Sequence, residues 1–333
     1  MSKKMWRWGI LSTANIGQSR FIPALKELDQ VEVVAIASRD FKKAKAAAKK
    51  HDIPVAYGSY EELFADPHID IIYNPTPNHL HVPLSIQAME QGKHVLCEKP
   101  IAVTVGELDQ LIQTQKNTPS VRVMEAFMYR FHPQWAYILD QLDAGAIGTV
   151  QHVNSMFSYF NNDPENVRNQ ADIGGGALLD IGCYCVDVAK MIFSGIPDSV
   201  QSHIEYDPTF ATDRLTTGLL AYEKGTATLV CGTQTYGFQQ VCIHGTEGRI
   251  EVDIPFNSKS DEDPRKVRII SDDGVEEYTF EGHNAYALMV EAMQNAIEHN
   301  QELPITLEDS RETLGVMDEL FNPSNDESWG ARS

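Results

Sequence analysis

The feature that most narrows what this chain can fold into is an alternation in its first third. Short β-branched runs, Trp6 to Leu11, Glu32 to Ala37, Ile69 to Tyr73, His94 to Glu98 and Val121 to Glu125, are separated by stretches with apolar residues at helical spacing. Ser19 to Leu28, Lys42 to His51 and Leu80 to Gln91 are such stretches. A strand, helix, strand series with right-handed crossovers builds a parallel sheet, so the first third predicts an α/β domain. From Thr149 the texture changes to longer alternating runs: Gln151 to Phe160, Thr216 to Tyr222, Thr226 to Cys231, Gln240 to His244 and Arg249 to Ile254. These predict a large, mostly antiparallel open sheet. Two helical segments, Asn284 to His299 and Leu307 to Leu320, follow with Pro304 between them and give this part an α+β character. The division falls at 126, with 1–126 as the first domain, 127–333 as the second and Phe127 to Ala144 as a connecting helix.

At 333 residues, two cores rather than one are expected, and 42% hydrophobic with 22% charged residues is a globular composition. The net charge of -20 excludes a nucleic-acid partner, which requires clustered Lys and Arg, and disfavours an anionic membrane. No apolar run approaches the roughly 18 residues of a spanning helix. The apolar stretch behind Lys3, Lys4 and Arg7 breaks at Ser12, too early for an export signal, so the expected location is cytoplasmic. The five cysteines, Cys97, Cys183, Cys185, Cys231 and Cys242, are scattered and without paired spacing. They read as reduced thiols, with neither disulfide nor bound metal.

The first strand runs into Ser12-Thr13-Ala14-Asn15-Ile16-Gly17 just before a helical pattern. This is the dinucleotide fingerprint G-x-G-x-x-G with Ser12 and Ala14 in place of two glycines. Small side chains still let the backbone N–H groups at the helix start approach a pyrophosphate, although an ordinary strand-to-helix turn would read the same way. Its position at the first βα junction makes the domain Rossmann-type. The second strand ends in Ala37-Ser38-Arg39, where the ribose is read, with no carboxylate at the tip. A carboxylate there would bind the NAD 2′-hydroxyl, whereas Ser38 and Arg39 suit a 2′-phosphate, so NADP is preferred over NAD. The alternative is that Arg39 is a solvated surface charge.

Two further clusters carry chemistry. Glu98-Lys99-Pro100 lies at the carboxyl end of a strand, the edge on which doubly wound sheets bind ligands, although taken alone it reads first as a plain ion pair capping the strand. Gly174-Gly175-Gly176 precedes a helical stretch from Ala177 to Phe193 that places Asp180, Tyr184 and Asp187 on one face of an otherwise apolar helix. Buried carboxylates need partners, so that stripe faces a cleft or a polar neighbour.

With these residues assembled, the chain resembles the glucose-fructose oxidoreductase, inositol dehydrogenase and rhizopine-catabolism family, Gfo/Idh/MocA, over nearly its whole length. The resemblance rests on the fingerprint, on Asn74-Pro75-Thr76-Pro77-Asn78-His79-Leu80-His81, on Glu98-Lys99-Pro100, and on the glycine run followed by Asp180 and Tyr184. Tyr184, where the inositol branch has His, resembles the branch of dimeric dihydrodiol dehydrogenase, NADP-linked D-xylose dehydrogenase and glucose-fructose oxidoreductase.

The resemblance implies hydride transfer between a nicotinamide and a sugar, cyclic diol or related carbonyl compound. It implies Tyr184 as general acid/base, Lys99 as its electrostatic partner and Asp180 as an orienting group. An ammonium within about 4–6 Å would favour the phenolate of a residue whose free pKa is near 10. Ser12, Thr13, Ala14, Asn15, Ile16, Ser38, Arg39, Thr76, Pro77, Asn78, His81, Glu98 and Lys99 are the residues expected at the cofactor, with Arg168 at cofactor or substrate. Arg130, Phe160 and Tyr184 are the substrate-side candidates, and structural roles fit Arg130 and Phe160 equally well. A homodimer, or a dimer of dimers, is expected through the exposed face of the second sheet. A non-catalytic NADP-sensing or regulatory protein is the competing reading, opposed by Lys99 and Tyr184.

Overall fold

A computed structural model describes residues 4–258 and 263–322. Six strands form the first sheet: β1 (Trp6–Leu11), β2 (Val31–Ala37), β3 (Val55–Tyr57), β4 (Ile71–Asn74), β5 (His94–Cys97) and β6 (Val123–Glu125). Their order is β3-β2-β1-β4-β5-β6, and every pairing is parallel. Trp8, Ile10, Leu11, Ile71, Ile72, Val95 and Leu96 are fully buried, as strands covered on both faces require. Gly9 is glycine because a Cβ there would stand 2.9 Å from both Ile69 and Ile72.

Crossover helices Phe41–His51, Tyr60–Ala65 and Val105–Asn117 start at side-chain caps. Asp40 accepts from Lys42 and Lys43 N–H, Ser59 forms a capping box with Glu62, and Thr104 accepts from Glu107 N–H. The helix expected over Ser19 to Leu28 is shorter: a wide turn, Gly17–Phe21, precedes Ile22–Leu25, which carries Pro23 in its first turn. The single helix expected from Phe127 to Ala144 is broken. A tight turn, Met128–Phe131, gives way to extended His132, and the helix Pro133–Asp143 starts afresh. A residue before proline is pushed out of the helical region, and Pro133 fits a first helical position.

Eight strands form the second sheet: β7 (Val150–Phe160), β8 (Ser199–Tyr206), β9 (Asp213–Tyr222), β10 (Gly225–Gly232), β11 (Gln234–Gly245), β12 (Gly248–Val252), β13 (Arg265–Ser271) and β14 (Gly274–Phe280). Their order is β14-β13-β12-β11-β7-β10-β9-β8, antiparallel except between β7 and β10. Val153, Ser155 and Phe157 on β7 alternate inward with Ala227, Leu229 and Cys231 on β10 and Val241 and Ile243 on β11. The helix Cys183–Phe193 packs against this inner face.

The chain packs as two compact units. One contains the described residues up to Trp135 together with Asp263 and Gly282–Arg311; the other contains Ala136–Ser258, Pro264–Glu281 and the described residues from Glu312 onward. Among the described residues no helix is long and apolar enough to cross a membrane.

Candidate active site

In the first unit the candidate residues stand at the carboxyl ends of the parallel strands. Ser12, just past β1, adopts φ 77°, the left-handed region that favours glycine. Its Oγ accepts from Ala14 N–H at 3.2 Å, which is how a serine holds a glycine's place in the fingerprint. Thr13 is held by Gln18, whose Nε2 donates to its carbonyl at 2.8 Å. Asn15 is exposed, Ile16 is half-buried, and the helical turn starting there leaves its first N–H groups without intrahelical acceptors.

At the end of β2, Ser38 is buried and accepts from Asp40 N–H at 3.2 Å, while Arg39 is exposed. Asp40, next in the chain, is turned into its helix cap. Arg39 pulls the neighbouring Tyr60 phenol down, against the larger upward effect of burial.

The loop after β4 is knitted by neutral hydrogen bonds. Asn74 accepts from Thr76 Oγ1 at 2.7 Å and donates to the His81 carbonyl and to Ser85, each at 3.1 Å. The two ring nitrogens of His81 each lie 2.7 Å from a carbonyl, of Pro100 and of Thr76, and only the charged ring could donate to both. Burial nevertheless pulls its imidazole down to about 4. Pro77 and Asn78 are half-buried beside this ring. Glu98 is buried and accepts from Tyr73 OH at 2.6 Å, while Lys99, half-buried, follows at the strand end with a cis bond to Pro100. Arg130 is paired with Asp309 within the same unit.

In the second unit the glycine run builds a backbone clamp. Gly176 N–H donates to Arg168 O and Gly175 N–H to Gln170 O, both at 2.9 Å. A Cβ on Gly175 would stand 2.6 Å from Arg168 O and 2.7 Å from Gln170 O. Gly176 has φ 116°, and a Cβ there would collide with the Asp213 carboxylate. Asp213, at the start of β9, accepts from Leu178 N–H at 2.6 Å and from Thr216 at 3.2 Å, and burial pushes it up to about 6.

This clamp opens a wide turn, Leu178–Gly182, that runs into the helix Cys183–Phe193. Gly182 lets the turn approach β10, where a Cβ would stand 2.9 Å from Cys231 Sγ. Asp180 on this turn accepts from Tyr159 OH at 2.6 Å and Arg168 Nε at 2.9 Å, both at the same carboxylate oxygen. Tyr184 is 3% exposed and packs against Phe157 and Phe256, ring centroids 5.6 and 5.3 Å away. Asp187, one turn on, is reached by Thr313 at 3.5 Å.

The structure thus gathers Arg168, Asp180 and Tyr184 in one unit and the nucleotide-loop candidates with Lys99 in the other. Phe160 is 65% exposed at the end of β7. Its neighbour Tyr159, on the opposite phase of the strand, is the residue that meets Asp180. Tyr159, Asp213 and Phe256 have no place in the sequence reading. Tyr159 could have been found by phasing β7 on buried Val153, Ser155 and Phe157. Asp213 carries no local signal, since its tie to Leu178 spans 35 residues. Among the described residues no cluster of His, Cys, Asp and Glu could hold a metal ion.

A parallel sheet in the order 3-2-1-4-5-6, with a tight positive-φ turn after its first strand, defines a dinucleotide-binding α/β protein. Comparison with known proteins narrows the class. Residues 6–127 match the profile of an oxidoreductase family with an NAD-binding Rossmann fold, and 135–251 match the Gfo/Idh/MocA C-terminal domain. The chain is 35% identical over 319 residues to an NADP(+) D-xylose 1-dehydrogenase of Haloferax volcanii, covering 94% of this chain and 96% of that one. It is 39% identical over 250 residues to trans-1,2-dihydrobenzene-1,2-diol dehydrogenase of Xenopus tropicalis, covering 74% of each. Among solved structures, KijD10, a 3-ketoreductase of Actinomadura kijaniata in complex with NADP and TDP-benzene, superposes with a TM-score of 0.89 at 28% identity. That match covers 95% of this chain and 97% of that one. The chain belongs to the Gfo/Idh/MocA family and is a nicotinamide-dependent oxidoreductase.

Proposed function

We propose that the protein is an NADP-preferring dehydrogenase or reductase of a sugar or cyclic vicinal diol, with Tyr184 as its general acid/base. The observation that carries this reading is the setting of Tyr184. It is a buried phenol packed on Phe157 and Phe256, on the segment whose Asp180 is fixed by two donors. The residues of the first unit fit the cofactor: Ser12 supplies the positive-φ turn, and Ser38 with exposed Arg39 suits a 2′-phosphate. Thr13, Ala14, Asn15, Ile16, Thr76, Pro77, Asn78, His81 and Glu98 would border it. When bound, the nicotinamide takes up or supplies the hydride.

The side chains of this protein handle the proton. In oxidation the phenolate of Tyr184 accepts the substrate hydroxyl proton as the carbonyl forms, and in reduction Tyr184 returns it. Lys99 is the cation proposed to favour that phenolate. Asp180, held by Tyr159 and Arg168, fixes the segment.

The D-xylose and dihydrodiol dehydrogenases among the relatives support the substrate class, and the NADP-bound 3-ketoreductase supports the cofactor. The test is nicotinamide absorbance with pentoses, hexoses and dihydrodiols in both directions, using NADP(H) and NAD(H). Turnover with at least one of these, faster with NADP(H), is expected; nucleotide binding without turnover of any would overturn the reading. Self-association through the outward face of the second sheet belongs to the same proposal, and a monomeric mass by light scattering at micromolar concentration would count against it.

A further inference from the structure

Asp180 poses an electrostatic difficulty for a tyrosine that must ionise. The two residues are four apart on one segment, Asp180 in the wide turn Leu178–Gly182 and Tyr184 in the first turn of the helix that continues it. Both act on the Arg168 guanidinium, so both stand within electrostatic range of it. A carboxylate so close opposes a second negative charge, and the buried surroundings of both groups screen it poorly.

The structure places a counter-charge against that carboxylate. Arg168 Nε lies 2.9 Å from Asp180 Oδ2, and the side chain keeps 45% of its surface exposed. The loop that carries Arg168 is fixed by the glycine run: Gly176 N–H bonds the Arg168 carbonyl, and Gly175 comes so near that carbonyl that no Cβ fits. Tyr159 donates to the same Asp180 oxygen but brings no charge. Burial, then Asp180, push the Tyr159 phenol up, so it stays a neutral donor. The Arg168 guanidinium is itself stabilised, by Asp180 first and by Tyr184 among the rest.

Several groups of this unit bear on Tyr184. Asp180 and Arg168 form an ion pair, Tyr159 is neutral, Phe157 and Phe256 are apolar, and Asp187 is engaged by Thr313. Asp213, behind the glycine run, titrates near 6, below the range in which a phenol ionises.

We propose that Arg168 is a positioning residue for proton transfer: by neutralising Asp180 it lets Tyr184 ionise beside an ion pair instead of beside a bare carboxylate. The inference rests on the acid/base role proposed for Tyr184. It moves Arg168 from the cofactor to the proton-transfer side of the chemistry, and it gives the glycine run a purpose beyond the turn it makes.

The test is a charge-balance experiment. The pH dependence of kcat is measured for the wild type, Arg168→Gln, Arg168→Lys and the double variant Arg168→Gln with Asp180→Asn. The Tyr184 phenol is titrated in the same proteins by NMR of ring-labelled tyrosine, its signal assigned by its loss in Tyr184→Phe. Arg168→Gln should raise both the kinetic limb and the phenol titration by about 1–2 pH units, the effect of one uncompensated charge at this range. Arg168→Lys should restore most of the shift, and the double variant, neutral again, should titrate near the wild type. A purely structural role predicts the opposite for the double variant, which would be the worst of the set. An unmoved Tyr184 titration in Arg168→Gln, or a double variant shifted as far as the single one, overturns the inference. Near-normal turnover of Tyr184→Phe instead overturns the acid/base assignment, and the NMR titration still reads the effect of Arg168.

Discussion

Each unit buries an ionisable group where its candidate residues converge, and the two groups behave oppositely. In the first unit the His81 ring nitrogens lie 2.7 Å from the carbonyls of Thr76 and Pro100, and burial pulls the ring down to about 4, so at neutral pH it is uncharged and donates its single N–H to one of the two. In the second unit Asp213 holds Leu178 N–H, and burial pushes it up to about 6, so at neutral pH it is largely a buried anion beside the Arg168 and Asp180 pair. The loop proposed to border an anionic dinucleotide is thus built of neutral hydrogen bonds. The segment proposed to move a proton is built of charges. A carboxylate in the loop after β4 would repel a phosphate, and the Glu98 carboxylate at the end of β5 is bound by Tyr73 OH, whereas fixed charge in the second region sets the acidity of a phenol.

The largest effect that would sharpen this contrast is on turnover. Tyr184→Phe should lower kcat by about 10²- to 10⁴-fold while leaving NADPH affinity by calorimetry within twofold of wild type, because only the second region handles the proton. A comparable loss of nucleotide affinity would erase the distinction between the regions.

The next comparison is of stability against pH. Asp213 has a folded value raised above that of the unfolded chain, so the stability it contributes is present below about pH 4 and is lost as pH rises through about 6. His81 has a folded value depressed below its ordinary one, so its contribution is present above about pH 6.5 and is lost as pH falls toward about 4. Each effect amounts to about 3 kcal/mol across its window. Denaturant unfolding from pH 4 to 7 should show wild type losing ground to Asp213→Asn as pH rises and to His81→Gln as pH falls. Slopes of the same sign would break the comparison.

These two regions were also unequally legible in the sequence. The first is local. Ser12 to Gly17, Asn74 to His81 and Glu98 to Pro100 each follow a short apolar strand, and the parallel order brings those strand ends to one edge, so a linear reading finds them. Two of the elements it missed there are short: β3 has three residues, and Tyr60–Ala65 has six. The second region depends on long-range pairing. Tyr159 reaches Asp180 only because β7 takes one phase and not the other, and a slip of one residue exchanges Tyr159 for Phe160.

Whole strands escaped for related reasons. β14 is exposed along nearly its length at the end of the sheet, so it has no apolar alternation to read. β13 puts buried Arg265 on the phase shared by Val267 and Ile269, which masks its period. Nothing near Gly282–Arg311 in the sequence signals that this segment returns to the first unit.

A third test concerns the clamp. Gly176→Ala must place a Cβ at φ 116° against the Asp213 carboxylate, so it should cost about 1–3 kcal/mol in the denaturant midpoint and lower kcat as well. Gly315→Ala, whose Cβ would meet nothing within 4 Å, should leave both unchanged or slightly improved. Equal behaviour of the two would remove the clamp from the account of the second region.

The smallest expected effect falls on the first region and turns on Arg39. Its guanidinium is exposed at the tip of β2, next to buried Ser38, and the adjacent Asp40 has its side chain directed to Lys42 and Lys43 N–H. That arrangement offers charge-assisted hydrogen bonds to a 2′-phosphate and nothing of comparable strength to a 2′-hydroxyl. Arg39→Ala should therefore reduce kcat/KM for NADP(H) by about tenfold to a hundredfold, the loss of roughly 1.5–3 kcal/mol, and change NAD(H) by less than about threefold. Because Arg39 is a solvated cation in a chain of net charge -20, part of any loss could be long-range attraction of an anionic cofactor rather than recognition. Raising the salt concentration separates the two, since screened attraction fades with ionic strength while a bidentate contact persists. A preference for NADP(H) that vanishes at high salt, or that survives Arg39→Ala intact, would show that the end of β2 does not read the ribose phosphate.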